Sequence, residues 1–404
     1  MKLSEELIWR GMVAEHTFKD SSELDAKKRK FYWGVDPSAD SMTIGNLAAM
    51  MQAKVFIRHG YTPYLLAGGA TGQIGDPKDN GERDLKTLDE IQKNVEGIKG
   101  QFNRICGDSF EIVNNADWFA SINYIEFLRE VGKHFSMTQL LDREFVKNRI
   151  GEGGSGISYA EFSYTLIQGY DFLHLYRTHG VDLQLCGADQ FGNSVSGMHL
   201  IKRLEGAEAD VWSMPLIIDP VSGRKFGKSE GNAIWLARER TNIFDFYQFW
   251  LNQPDQAVHS LLKTYTILTK PEVDEIMKNH EKNPSHRIAQ KALAFGVTTV
   301  VHGEKNALAA QRATEILFQG KAGPSEKRDD LALLSEILPS HSPKKNELLV
   351  DAIANSQMTS SKSEARRLIK GGGVALNGEK ITDENAKTEP GILKLGKNKF
   401  LIIK

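Results

Sequence analysis

The sequence predicts an α/β protein: a doubly wound parallel sheet, then an α-helical domain, then a small α+β tail. Three observations lead there. Short apolar runs alternate with stretches of helical period up to about residue 225, the pattern of a mostly parallel sheet covered by helices. Beyond Gly231 the stretches become helical with few β-branched runs. Near the end, Asn377-Gly378 sits between alternating apolar residues, a strong hairpin signal.

Met1–Leu7 reads as an acidic, capped helix start without the apolar core of a signal peptide. Strands are expected at Tyr32–Val35, Tyr64–Ala67, Phe110–Val113 and Asp182–Leu185, with helices around Ile44–Arg58, Leu88–Phe102 and Ile122–Val131. Ligands of such a sheet sit at the carboxyl ends of the strands. Helices are then expected at Asn242–Trp250, Gln256–Leu262, Lys270–Lys278, Pro284–Gly303 and Glu304–Leu317. Residues 319–346 are rich in Gly, Pro, Ser and charge and read as a linker with one short helix, Asp330–Ile337. The tail opens with a helix, Glu347–Asn355, and a Ser361-capped helix to Lys370, before Val374–Leu376 and the final strands. The expected division is 1–230, 231–318, a linker 319–346, and 347–404.

The chain has 404 residues, 40% of them apolar, and a formal net charge of −1. Two or three domains with a sizeable core follow. With no global field to draw in nucleic acid, any RNA contact needs a local patch. Cys106 and Cys186 are the only cysteines, which speaks against a disulfide framework or a Cys-rich zinc site and fits a reducing compartment. No run of about 18 apolar residues occurs, so the expectation is a soluble, cytoplasmic protein without a membrane span.

Two segments carry chemistry. Lys225-Phe226-Gly227-Lys228-Ser229 follows a Gly-containing turn. Two lysines three apart on a loop suit an anion gripped briefly and then released, although such loops also occur as plain solvated turns. Upstream, Tyr32–Leu47 reads as a strand that breaks at Asp36-Pro37 and restarts as a helix, with Thr43 and Asn46 on one face of its first turn. Free N–H groups and the helix dipole make that turn a phosphate seat, or its polar residues serve only as caps.

Together the segments resemble the paired "HIGH" and "KMSKS" signatures of class I aminoacyl-tRNA synthetases, whose catalytic domain is Rossmann-like. Residues 32–41, 68–77, 161–172, 187–193 and 225–229 lie in the order and spacing of the bacterial-type tyrosyl family. That resemblance implies ATP-dependent activation of L-tyrosine and its transfer to tRNA(Tyr). Tyr32 and Asp171 would meet the phenol, and Tyr164, Gln168 and Asp76 the ammonium, with Gln190 also at the tyrosine. Gly34, Asp36, Ser38, Thr43, Gly45, Asn46, Gly187, Asp189 and Lys228 would hold ATP. Lys225, Lys228 and Ser229, with Thr43 and Asn46, would serve catalysis, and Lys78 and Arg83 could add charge. Magnesium would arrive with the ATP, and no protein-held metal is expected. The tail resembles an S4-type RNA-binding module, with Lys362, Arg366, Arg367 and Lys370 as one cationic helix face; without the N-terminal context a solvated charged face is the better reading. A homodimer through Ile125–Tyr159 is implied as well.

The sequence departs from the family pattern at Thr43 and Asn46, which replace the two histidines, at Trp33, where a small residue is usual, and at Cys186-Gly187-Ala188. Three rivals remain: a tryptophanyl enzyme, a retired paralogue kept for RNA binding, and a small nucleotidyltransferase, which would leave 232–404 unexplained.

Overall fold

The computed structural model describes residues 1–75, 86–107, 111–141, 144–151, 153–218, 223, 226, 228–229, 232–319, 327–396 and 399–404. The chain divides into two compact units, Met1–Ala237 with Asp255–Lys278, and Arg238–Pro254 with Asn279–Lys404. This division differs from the one expected, because the helices of 255–278 group with the sheet rather than with the helices that follow.

The first unit is built on five strands: β1 Lys30–Val35, β2 Thr62–Ala67, β3 Glu111–Asn114, β4 Leu183–Gly187 and β5 Asp210–Met214. They are all parallel, in the order β3-β2-β1-β4-β5. Strand β5 was not anticipated; it is a short strand at the edge of the sheet, and its Trp212 is fully buried with the indole N–H on the Met12 carbonyl at 3.0 Å.

Helices in the Met1–Ala237 part of this unit are α1 Leu3–Arg10, α2 Ile44–Arg58, α3 Thr71–Ile74, α4 Leu88–Cys106, α5 Asn115–Phe119, α6 Tyr124–Glu130, α7 Met137–Leu141, α8 Glu144–Ile150, α9 Tyr159–His179 and α10 Phe191–Glu205. They cover both faces. On one, Phe31 packs on Phe56 of α2 with ring centres 5.3 Å apart, and Trp33 on Phe102 of α4 at 5.8 Å. On the other, Tyr32, Tyr64 and Leu66 share a core with Phe172 and Leu173 of α9 and Leu200 of α10. Strand alternation explains the split, since successive side chains point to opposite faces.

The remaining helices are α11 Ile243–Leu251, α12 Asp255–Tyr265, α13 Lys270–Lys282, α14 Ile288–His302, α15 Glu304–Gln319 and α16 Lys327–Ile337. The helix expected from Pro284 starts only at Ile288. Pro284–His286 forms a 3-10 turn, and Arg287 stands in the left-handed region at φ 53, which interrupts a helix. In the second unit α11, α14 and α15 pack on one another.

The tail holds α17 Leu349–Asn355 and α18 Lys362–Lys370 against a sheet of β8 Ser340–His341, β9 Val374–Leu376, β10 Glu379–Ile381, β11 Gly391–Leu395 and β12 Lys399–Ile403, after two short strands of the first unit, β6 Lys228–Ser229 and β7 Asn232–Ala233. The order is β10-β9-β11-β12-β8. Thus Ser340 and His341, read as linker, pair with Ile402 and Ile403. The hairpin turn between β9 and β10 has φ 52 at Asn377 and φ 88 at Gly378, the two positive values that an Asn-Gly turn supplies.

Candidate functional site

After β3 the chain returns to the opposite side of β1 and enters β4, so the strand order reverses between those two neighbours. A crevice opens at the carboxyl ends there, as such a switch point requires, and it encloses about 550 Å³.

One half of the crevice is deep and polar at its floor. Tyr32 of β1 is fully buried, and its hydroxyl has no hydrogen-bond partner among the described residues. Asp171 of α9 is 1% exposed; Trp118 Nε1 donates to its Oδ1 at 3.0 Å and Asn115 Nδ2 to its Oδ2 at 3.1 Å. Burial pushes the Asp171 carboxyl well above the usual range, against the pull of those two donors, and the Asp36 charge adds to the rise. Burial likewise raises Tyr32, followed by the charge of Asp171.

Higher up, the Tyr164 hydroxyl donates to Asp36 Oδ2 at 2.9 Å, and the Thr71 hydroxyl to Asp36 Oδ1 at 2.7 Å. Asn115 Nδ2 also reaches Thr71 Oγ1 at 3.2 Å. Asp36 and Asp171 are therefore joined by one network through Thr71 and Asn115. Gln168 lines the same space with an amide oxygen that has no partner among the described residues. Gln190, which accepts from Asn193 Nδ2 at 3.1 Å, lines it with Asp189 and Gly187.

The other half lies at the start of α2. Thr43 is its N-cap residue, and Asn46 Oδ1 accepts from the Thr43 N–H at 3.1 Å and hydroxyl at 3.2 Å. Gly45 brings bare backbone to the crevice: a Cβ there would stand 3.6 Å from Thr43 Oγ1 and 3.8 Å from the Phe226 carbonyl. Gly34, Asp36 and Ser38 line the passage between the halves. Helix α4 fixes the 36–42 turn. Asn94 Nδ2 holds the Pro37 carbonyl at 2.9 Å, Gln101 bonds Ser41 Oγ and the Met42 N–H at 2.8 Å each, and any side chain at Gly97 would run into the Asp40 carbonyl.

The lysine loop is stitched to this helix start. Thr43 bridges to Trp235, Ile44 donates to the Ile234 carbonyl at 3.1 Å, and Leu236 donates to the Met42 carbonyl at 2.9 Å. Lys228 and Ser229 form β6, paired with β7, which returns toward that seam. Lys225, Asp76, Lys78 and Arg83 lie outside the described residues, as do the side chains of Lys228 and Ser229. Among the described residues no cluster of three or more His, Cys, Asp or Glu is placed to hold a metal ion, and no helix is long and apolar enough to cross a membrane.

Trp33, the bulky departure, is absorbed in the layer between β1 and α4 and is 6% exposed. Sequence reasoning missed Thr71, Asn115 and Trp118. The signal available was Asn114-Asn115 at the carboxyl end of a strand, where the site of a parallel sheet forms. In the tail, the cationic side chains of α18 are exposed; Lys362 pairs with Asp351 at 2.8 Å and Lys370 with Glu384 at 3.1 Å, while Ala365 and Ile369 face the core.

Residues 24–319 match the family described as tRNA synthetases class I (W and Y), and residues 330–404 match the tyrosine–tRNA ligase SYY-like C-terminal domain. The chain is 39% identical over 415 residues to tyrosine–tRNA ligase of Latilactobacillus sakei, covering 98% of each. It is 42% identical over 393 residues to tyrosine–tRNA ligase 2 of Bacillus cereus, covering 95% of this chain and 93% of that one. Its fold is similar to a C-terminally truncated mitochondrial tyrosyl-tRNA synthetase from Aspergillus nidulans, with a TM-score of 0.70, 28% identity, and 78% of this chain and 94% of the other covered.

Proposed function

This chain belongs to the tyrosyl-tRNA synthetases of class I, and from that premise we propose how its crevice is used. The enzyme activates L-tyrosine with ATP to tyrosyl-adenylate, releasing pyrophosphate, and transfers the tyrosyl group to tRNA. Tyrosine enters the deep half. Its phenol O–H donates to Asp171 and accepts from Tyr32, a pairing open to a hydroxyl and closed to a bare ring or an indole N–H. Tyr164, Gln168 and Asp76 face the ammonium, and Gln190 the carboxylate end. ATP, bringing magnesium, lies across Gly34, Asp36 and Ser38 with its phosphates toward Thr43, Gly45 and Asn46, and Gly187 and Asp189 meet the ribose.

The tyrosine carboxylate then attacks the α-phosphorus and pyrophosphate leaves. No side chain acts as nucleophile. The protein contributes alignment and charge: Lys225 and Lys228 grip the departing pyrophosphate, Ser229 adds a hydroxyl, and Lys78 and Arg83 add charge. The tail, 347–404, binds tRNA through Lys362, Arg366, Arg367 and Lys370. Two copies pair through the stretch Ile125–Tyr159, a reading supported by exposed Ile125, Met137, Ile150 and Tyr159 at 68%, 56%, 51% and 62%. Two buried free cysteines fit a cytoplasmic location.

The observation that carries the reading is the buried Tyr32–Asp171 pair beside a helix-start phosphate seat in one crevice. ATP–pyrophosphate exchange tests it. Exchange is expected with tyrosine and almost none with phenylalanine or tryptophan; comparable exchange with tryptophan would overturn it.

A further inference from the structure

Gln184 is buried where a structural glutamine would have its oxygen bonded, and that oxygen is not. The residue is 2% exposed, lines the crevice, and its amide oxygen has no partner among the described residues. Two other glutamines buried in this unit behave differently. Gln52 Nε2 donates to the Met12 carbonyl at 3.0 Å, and Gln101 uses both its oxygen and its nitrogen. A buried amide acceptor left unpaired is costly, so it persists where something other than the fold needs it.

Its position says what that is. Gln184 on β4 is the register partner of Tyr32 on the parallel neighbour β1. Register partners in parallel strands stand at one level and project to one face. The Tyr32 hydroxyl is likewise unpaired among the described residues, and Asp171 is close enough for its charge to act on that hydroxyl. A hydroxyl, a carboxyl and an amide thus line one side of the same crevice. An amide offers an acceptor and two donors, and a phenol both donates and accepts. We propose that Gln184 is a third recognition residue for the phenol end of tyrosine, set beside Tyr32 and Asp171, and that it sharpens the choice of tyrosine over phenylalanine. Phenylalanine would leave the amide unpaired in a closed floor, whereas tyrosine satisfies it.

This inference rests on the tyrosine-activating reading above. The test is Gln184→Met, which keeps length and volume and removes the polar atoms. Exchange is measured with tyrosine and with phenylalanine, together with the KM for ATP and the melting temperature. Expected is a fall of about tenfold in the ratio of kcat/KM for tyrosine over phenylalanine, expressed mainly in the KM for tyrosine, with the KM for ATP and the melting temperature held. A ratio within twofold of wild type would overturn it. So would a variant that fails to fold, because that would give Gln184 a structural task. Absence of tyrosine-dependent exchange in the wild-type enzyme would instead strike the underlying reading.

Discussion

Asn115 is the hinge of the polar network, and removing it has a calculable effect. Its side chain is fully buried, donates to Asp171 and Thr71, and accepts from the Ala70 N–H at 2.6 Å. In Asn115→Ala, Asp171 keeps the Trp118 donor and loses the other. A hydrogen bond to a charged group contributes about 1.5–3 kcal/mol; because this one is already made before tyrosine binds, that range bounds the loss in kcat/KM for tyrosine at roughly 10- to 150-fold. The pH dependence has a definite sign. Burial already raises the Asp171 carboxyl, and Asn115 is the larger of the two bonded donors that hold it down. Without Asn115 it rises further, so the ionised form that accepts the phenol proton appears only at higher pH. The acidic limb of kcat/KM therefore moves to higher pH. Stability follows the same direction: a carboxyl raised on folding costs nothing below its unfolded value, and the cost grows as pH rises through its folded value. The variant should fall behind wild type increasingly as pH rises. Tyrosine-dependent exchange and melting temperature would be followed from acid to neutral pH. An unchanged acidic limb and an unchanged kcat/KM would refute the role given to this network.

Four further outcomes are expected. Thr43→Val keeps the shape at the start of α2 and removes a hydroxyl now shared with Asn46; adenylate formation should slow by about 1–2 kcal/mol, and an unchanged single-turnover rate would leave Thr43 as a cap alone. Lys228→Ala should lower the adenylate rate more than tyrosine binding, since its charge is needed as pyrophosphate separates; equilibrium tyrosine binding alongside single-turnover kinetics tells the two apart. Residues 344–404 hold twelve Lys or Arg against seven Asp or Glu, so a chain ending near Pro343 should still form adenylate but charge tRNA poorly at low tRNA. Arg366→Ala with Arg367→Ala should flatten the salt dependence of tRNA binding by a smaller amount; charging with wild-type salt dependence in the truncated chain would remove the tail from RNA binding.

Much of this arrangement was legible because local chemistry agreed with the fold. The strand at Tyr32, the helix from Ile44 and the Asn377-Gly378 hairpin each carried their own signal of period, break or turn. The floor of the crevice carried none. Asn115 and Trp118 on α5 and Gln184 on β4 are far apart in sequence, and only the strand order β3-β2-β1-β4-β5 brings these two elements to Asp171 and Tyr32. A buried glutamine within an apolar strand reads as an isolated polar residue until its neighbour strand is known. Strand β5 escaped notice because Asp210 and Ser213 break the apolar run of Asp210-Val211-Trp212-Ser213-Met214. Arg287 delayed the start of a helix through backbone conformation, which its side-chain type does not announce.

A crystal structure with a non-hydrolysable tyrosyl-adenylate analogue tests the assignment of the crevice most directly. The account predicts the phenol oxygen within hydrogen-bond distance of Tyr32 Oη and an Asp171 oxygen, and the phosphate toward Thr43, Gly45 and Asn46. A ligand seated with its ring away from Tyr32 and Asp171, or with its phosphate at the opposite end of the crevice, would contradict it.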